Sequence, residues 1–273
     1  MVTRLSSSPT LDAARRVLRV GSVSFLNSKP LIFGLEAAKD LKLILNVPSS
    51  LLDGLRNDLF DVALLPVIDY QRQPGLKVLT AGGIGCDGAT LTVRIFSRVP
   101  IHRIETMACD SDSHTSVALA RILFAEKYGI HPMFEDWSVG KDHPAQARLL
   151  IGDKVVCEEP PGYEHQLDLG QAWRDLTGLP FVFAVWMVRE GIDLRDLPAR
   201  LEQAKREGLA NIDSIVRKHA EPRGWPAGVA MQYLLYYLKF DIGDRQLQAI
   251  RLFHQLAAKH HLVASPVRPL NLY

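Results

Sequence analysis

The chain has 273 residues, 47% of them hydrophobic and 23% charged, a balance ordinary for a soluble globular protein of one large or two modest domains. Its 32 basic and 30 acidic residues leave a net charge of +2 with no block of like charges, which removes any electrostatic case for nucleic acid. The three cysteines, Cys86, Cys109 and Cys157, are too widely spaced for a zinc site or a disulfide framework and suit a reducing compartment.

Residues 1–16 contain no apolar run fit for a signal-peptide core. Residues 234–238 come nearest to a membrane span, and Lys239 and Asp241 end the run early. The expectation is a cytoplasmic protein with neither a membrane nor a nucleic-acid partner.

Val17, Leu18, Val20 and Val23 supply the aliphatic and β-branched content of an opening strand. Residues 24–28 form a polar turn, and a helix follows. Asn27 or Ser28 can cap it, and Pro30 falls in its first turn, where a missing N–H costs nothing. Residues 41–47 read as a second strand, and Pro48-Ser49-Ser50 opens a helix through Leu51, Leu52 and Leu55. The apolar run 61–67 fits a fully buried parallel strand. Strands at 76–80 and 90–96 follow, with Gly82, Gly83, Gly85 and Gly88 between them. This alternation predicts an α/β layer structure with a largely parallel sheet.

The middle of the chain repeats the pattern. Residues 104–109 read as a strand, 110–116 as a polar turn, and 117–128 as an amphipathic helix ended by Gly129. A strand at 133–137, a helix in the 140s and a strand at 148–151 closed by Gly152-Asp153 come next, then an apolar strand at 181–188. The last third changes character, with helices at 197–220, 228–240 and 244–260 and a break at 221–226. Helices without partner strands must cover an existing sheet. The prediction is therefore a two-lobed α/β protein: residues 1–97 and 186–273 form the first lobe, residues 98–185 the second, and the two chain crossings make a hinge with a ligand cleft between the lobes.

Three polar turns at strand ends, residues 24–28, 85–92 and 111–116, are candidates to face that cleft. The third opens a helix with Ser113, Thr115 and Ser116, a setting in which free backbone N–H groups and hydroxyls hold a carboxylate or phosphate. Simple N-capping by Ser111, Ser113 or Thr115 is the plainer alternative. His114 is the one histidine in a site-like setting; the others are scattered without metal spacing, and His254 reads as a surface or partly buried residue. Asp153 suits an acid, a base or a helix cap, and Cys86 reads as a packed thiol. Neither a nucleophile elbow nor a nucleotide-binding glycine loop is present, and no metal or cofactor is expected.

Together these segments resemble a known family. Residues 20–31 are similar to the strand-turn-helix pattern VG-x-x-x-(F/Y)-LN-x-x-PL of the chorismate dehydratases of menaquinone biosynthesis by the futalosine route, which have the periplasmic-binding-protein type II fold. The resemblance continues through 61–67, Cys86-Asp87-Gly88, Thr115-Ser116-Val117, 149–153, 168–173 and, most specifically, 177–186, in matching order. It implies that the substrate is the dianion chorismate, which loses water to give 3-[(1-carboxyvinyl)oxy]benzoate. It also implies catalytic roles for Asn27, in the LN turn, and for Thr92, where the family more often has a serine; Thr90 is the alternative bearer of that role. Substrate-binding candidates are Ser24, Ser28, Thr90, Ser113, His114, Thr115, Ser116 and Asp153. A small-anion-binding module of the same fold and the related dihydroxynaphthoate-forming enzyme of the pathway stand as the competing readings.

Overall fold

The computed structural model describes residues 16–110, 113–137, 143–157 and 160–273. Ser111, Asp112 and residues 140–142 of the expected helix in the 140s lie outside the described residues, and residues 143–146 are irregular rather than helical. The strands in chain order are β1 (Leu18–Val23), β2 (Leu41–Asn46), β3 (Val62–Pro66), β4 (Leu76–Cys86), β5 (Val93–Ser97), β6 (Thr106–Asp110), β7 (Met133–Trp137), β8 (Ala147–Ile151), β9 (His165–Asp168), β10 (Phe181–Arg189) and β11 (Leu238–Lys239). They form two sheets, ordered β11-β4-β10-β3-β1-β2 and β7-β6-β8-β5-β9.

Both sheets are mixed, where a largely parallel one was expected. In the first, β1 runs parallel to β2 and β3, while β10 is antiparallel to both β3 and β4. In the second, β6 is parallel to β7 and β8, and β5 is antiparallel to β8 and β9. The reason is that β10 returns from the second sheet and slots between β3 and β4. All of β3 and nearly all of β10 are buried, as a central strand covered on both faces requires.

Of the four glycines expected to separate two strands, Gly82, Gly83 and Gly85 lie inside β4 and Gly88 follows it. A Cβ on Gly83 would stand 2.6 Å from the Ala184 carbonyl oxygen, and one on Gly85 would stand 2.6 Å from that of Phe181. Glycine is needed there because the β10 backbone comes so close. The chain passes to the second sheet within residues 87–92, before β5, and all of β10 belongs to the first sheet. The first crossing therefore falls a strand before the expected boundary at 97/98, and the boundary expected at 185/186 falls inside β10.

The helices are α1 (Pro48–Arg56), α2 (Asp69–Arg72), α3 (His114–Leu123), α4 (Lys154–Cys157), α5 (Leu169–Thr177), α6 (Leu197–Ala210), α7 (Ile212–Ile215), α8 (Ala227–Gln232) and α9 (Asp244–Lys259). As expected, the C-terminal helices cover the first sheet: α6 packs on β4 and on the 3₁₀ segment Leu26–Ile32, and α9 packs on β10. Gly208 lets α6 come close, since a Cβ there would lie 2.3 Å from the Pro30 carbonyl oxygen. The expected helix at 228–240 is cut short. A π-helical turn, Tyr233–Tyr237, follows α8, and Leu238 and Lys239 then pair with β4. No helix among the described residues is long and apolar enough to cross a membrane.

Candidate active site

A narrow cavity of about 70 Å³ lies between the two sheets, beside the first chain crossing. Apolar side chains form most of its wall: Leu64 and Pro66 from β3, Ile84 from β4 and Phe183 from β10 face Val93 and Ile151 of the second sheet. Asn27, Thr90, Thr92, Ser113, His114, Thr115 and Ser116 are the expected site residues that line it. One hollow thus collects side chains from all three polar turns.

Each turn is held by its own contacts. The carboxylate of Asp168 caps α5 by accepting from the backbone N–H of Gly170 (3.0 Å) and Gln171 (3.1 Å). It also accepts from the N–H groups of Thr90 (3.0 and 3.1 Å) and Leu91 (2.9 Å), which sets the loop carrying Thr90 and Thr92. Leu91 sits at φ 67°, a strained value for a branched side chain, and these bonds hold it there. Thr92 Oγ1 lies 2.7 Å from the hydroxyl of Tyr233, and the amide of Asn27 lies beside the same phenol. Burial pushes the Tyr233 phenol far up, so it stays protonated. The hydroxyl of Thr90 turns instead to the Cys86 thiol, which burial also pushes up. Cys86 is thus the packed thiol expected of it.

Asn27 has one further property. Its Oδ1 is buried and has no hydrogen-bond partner among the described residues. A buried amide oxygen left unpaired costs about 1–3 kcal/mol, and such an atom in a cavity wall is an acceptor ready for a ligand.

At the opposite wall, Thr115 Oγ1 accepts from the Ile68 N–H at 3.4 Å, tying α3 to the first sheet. Ser113 occupies the N-cap position without making a side-chain cap bond, so capping does not consume its hydroxyl. The first N–H groups of α3 have no partner within the helix. His114 Nδ1 stands 3.1 Å from both carboxylate oxygens of Asp69, which is fully buried and also pairs with Arg72 at 3.2 Å. Asp69 fixes the His114 ring against the cavity, a role the sequence did not disclose.

Three expected binding residues lie elsewhere. Ser28 is fully buried and donates to the carbonyls of Val23 (2.7 Å) and Phe25 (3.0 Å), so its hydroxyl holds the turn together. Ser24 is outside the cavity lining, and its carbonyl accepts from Arg223. Asp153 lies behind the wall beside Gly152, where it meets the Leu26 N–H at 3.5 Å and Arg223 at 3.4 Å. Burial raises its carboxyl above the ordinary value despite Arg223. The helix expected after residues 24–28 is a short 3₁₀ segment whose first N–H faces this carboxylate.

Sequence reading also missed Tyr233 and the aromatic walls Phe25 and Phe183. The run Tyr233-Leu-Leu-Tyr-Tyr looks like an apolar helix face; only the rule that a buried phenol needs a partner hints at a site. His254 is fully buried rather than superficial. Its Nε2 donates to the Val67 carbonyl at 2.9 Å, and Nδ1 accepts from Gln71 at 3.1 Å.

Two mixed α/β lobes with a polar-tipped cavity between them make up the periplasmic-binding-protein fold, and solved structures agree. A protein of Archaeoglobus fulgidus superposes with a TM-score of 0.73 at 14% identity, covering 92% of this chain and 100% of that one. The periplasmic aliphatic sulphonate binding protein of Escherichia coli gives 0.62 at 14% identity, over 94% and 93% of the two chains. The model of a menaquinone-biosynthesis family matches residues 18–259, and the chain belongs to that family. It is 27% identical over 215 residues to a chorismate dehydratase of Thermus thermophilus, covering 71% of this chain and 79% of that one.

Proposed function

We propose that this protein is a chorismate dehydratase, a carbon–oxygen lyase of menaquinone biosynthesis acting in the cytoplasm on chorismate. The observation that carries the reading is the unpaired Asn27 Oδ1 beside the Thr92–Tyr233 pair, in a chain of this family with a dehydratase relative. Chorismate brings two carboxylates, an enolpyruvyl ether and a ring hydroxyl. The α3 start, with Ser113, Thr115, Ser116 and the Asp69-braced His114, suits a carboxylate. The apolar wall suits the ring.

The reaction breaks the C–H bond at the carbon bearing the ether and the C–O bond of the neighbouring hydroxyl. Water leaves, and the C–H electron pair completes the aromatic ring. Aromatisation drives the step, so the site needs to orient the ring and help hydroxide depart. Asn27 is read as the group that holds the departing hydroxyl, Oδ1 accepting its hydrogen, or that orients the ether through its amide NH₂. Thr92, oriented by Tyr233, is read as the residue doing the family serine's work, since Thr90 is engaged with Cys86. Donors aimed at the developing charge supply the main acceleration.

The test is incubation of the purified protein with chorismate alone, followed by ultraviolet absorbance and mass spectrometry. The expected product is the enolpyruvyl benzoate. Asn27→Asp is expected to abolish turnover with the fold intact. A protein that binds chorismate, raising its melting temperature, yet forms no aromatic product would overturn the dehydratase reading.

A further inference from the structure

The 3₁₀ segment Leu26–Ile32 carries Asn27 into the cavity wall and Lys29 into a different hollow. Lys29 is only 6% exposed, and among the described residues its amine makes no hydrogen bond or ion pair. It lines a groove of about 680 Å³ between the edge strand β2 and the segment of α7 and the turn Val216–Ala220. Ile32, Phe33 and Leu43 give the groove apolar walls, Lys42 and Lys218 add to its positive side, and the His219 ring lies among them. Glu36 is the single carboxylate among the described lining residues, and it stands 3.7 Å from Lys218.

A buried ammonium without a direct ion-pair partner is costly, and Asp153 and Glu36 act on Lys29 only through space. Burial and the nearby Arg223 push the Lys29 amine down. Burial, Lys29 and Lys218 likewise hold His219 below the ordinary histidine value. The groove therefore has more positive charge than its own residues neutralise, in a hollow of the size that takes small molecules. It shares no lining residue with the cavity between the sheets.

We propose that this groove is a second ligand site, for a small organic anion that carries a carboxylate or phosphate on an apolar body. The Lys29 amine pairs with the anionic group from inside, Lys218 and Lys42 flank it at the mouth, and the apolar body lies against Phe33 and Leu43.

The probe is 1-naphthoate, with inorganic phosphate as the bare-ion arm, and the readout is the NMR titration of the His219 ring, assigned with His219→Gln. Naphthoate is expected to raise the His219 titration midpoint saturably, because a bound anion offsets Lys29 and Lys218. The rise is expected to vanish in Lys29→Met and in the exposed-site variant Lys218→Glu, and to persist in Asn27→Asp. Should Lys29→Met fail to fold, Lys218→Glu carries the test. A His219 ring indifferent to millimolar naphthoate overturns the proposal, as does a shift that survives Lys218→Glu. A response to phosphate as large as that to naphthoate overturns the apolar half of the assignment.

Discussion

Thr92 Oγ1 and Tyr233 Oη meet at 2.7 Å, joining the loop that leads into the second sheet to a π-helical turn beside the first. Tyr233 is 1% exposed and stacks on Trp225, with ring centroids 5.2 Å apart, so its hydroxyl has little freedom. Because the phenol stays protonated, it can donate to Thr92 while Thr92 donates onward into the cavity. Tyr233→Phe removes that orientation and leaves the ring packing in place. Stability is expected to fall by about 1 kcal/mol, the worth of one hydrogen bond. Chorismate turnover is expected to fall about tenfold, the effect of some 1.4 kcal/mol of lost orientation. Steady-state rates and denaturant midpoints check both numbers, and unchanged kcat would remove Tyr233 from the mechanism.

Asp168 is the keystone of the loop that bears Thr90 and Thr92. Its two oxygens accept from four backbone N–H groups, those of Thr90, Leu91, Gly170 and Gln171. Asn at this position keeps one acceptor oxygen and turns an NH₂ group toward donors. Asp168→Asn is expected to cost about 1–3 kcal/mol of stability, since several N–H groups lose their acceptor. Urea titration measures this. Activity is expected to drop further than the folded fraction, because the loop that orients Thr92 relaxes; activity that simply tracks the folded fraction would show the loop to be set by other contacts.

How much of this was legible in the sequence depends on which force fixes each element. Strands β1, β2, β3 and β10 follow from local apolar and β-branched content, and the polar turns at their ends follow from composition. Strand β4 was cut short because Gly82, Gly83 and Gly85 read as a loop, whereas close approach by β10 is what requires them. That approach is tertiary and leaves no local trace. The same holds for the site. Asn27, Thr92 and the α3 start were visible as polar residues at strand ends. Tyr233 and Asp69 were not, because each acts through a partner 141 or 45 positions away. Ser28 shows the converse error, a hydroxyl in the right turn that folds inward onto two carbonyls.

His114 and Asp69 divide binding from chemistry. In the proposed complex the ring faces a substrate carboxylate while the buried Asp69 braces Nδ1 from behind. A group that contacts a remote carboxylate in both ground and transition states contributes uniform binding, which appears in KM. His114→Ala is therefore expected to raise KM for chorismate about tenfold with kcat changed by less than about threefold. Asp69→Asn is expected to reproduce part of the KM rise. A kcat collapse in His114→Ala with KM unchanged would make His114 a chemical participant and refute the division.

His254 gives the fold a pH dependence of known sign. Burial holds its titration down to about 4, against 6.5 for an exposed histidine, and the nearby Arg268 adds to this, although the Nε2–H bond to the Val67 carbonyl favours the charged ring. Protonation would place a charge in the core and take away the acceptor that Gln71 uses. Between pH 6.5 and about 4 the unfolded chain therefore binds a proton that the folded chain refuses. His254's contribution is complete above pH 6.5 and is lost progressively as pH falls through that window, by about 3 kcal/mol in all. Denaturant midpoints of the protein and of His254→Gln across this range isolate the effect from carboxylates that titrate nearby. The wild-type curve is expected to fall more steeply on acidification, with the two converging toward pH 4; parallel curves would mean that His254 takes up its proton without leaving the fold.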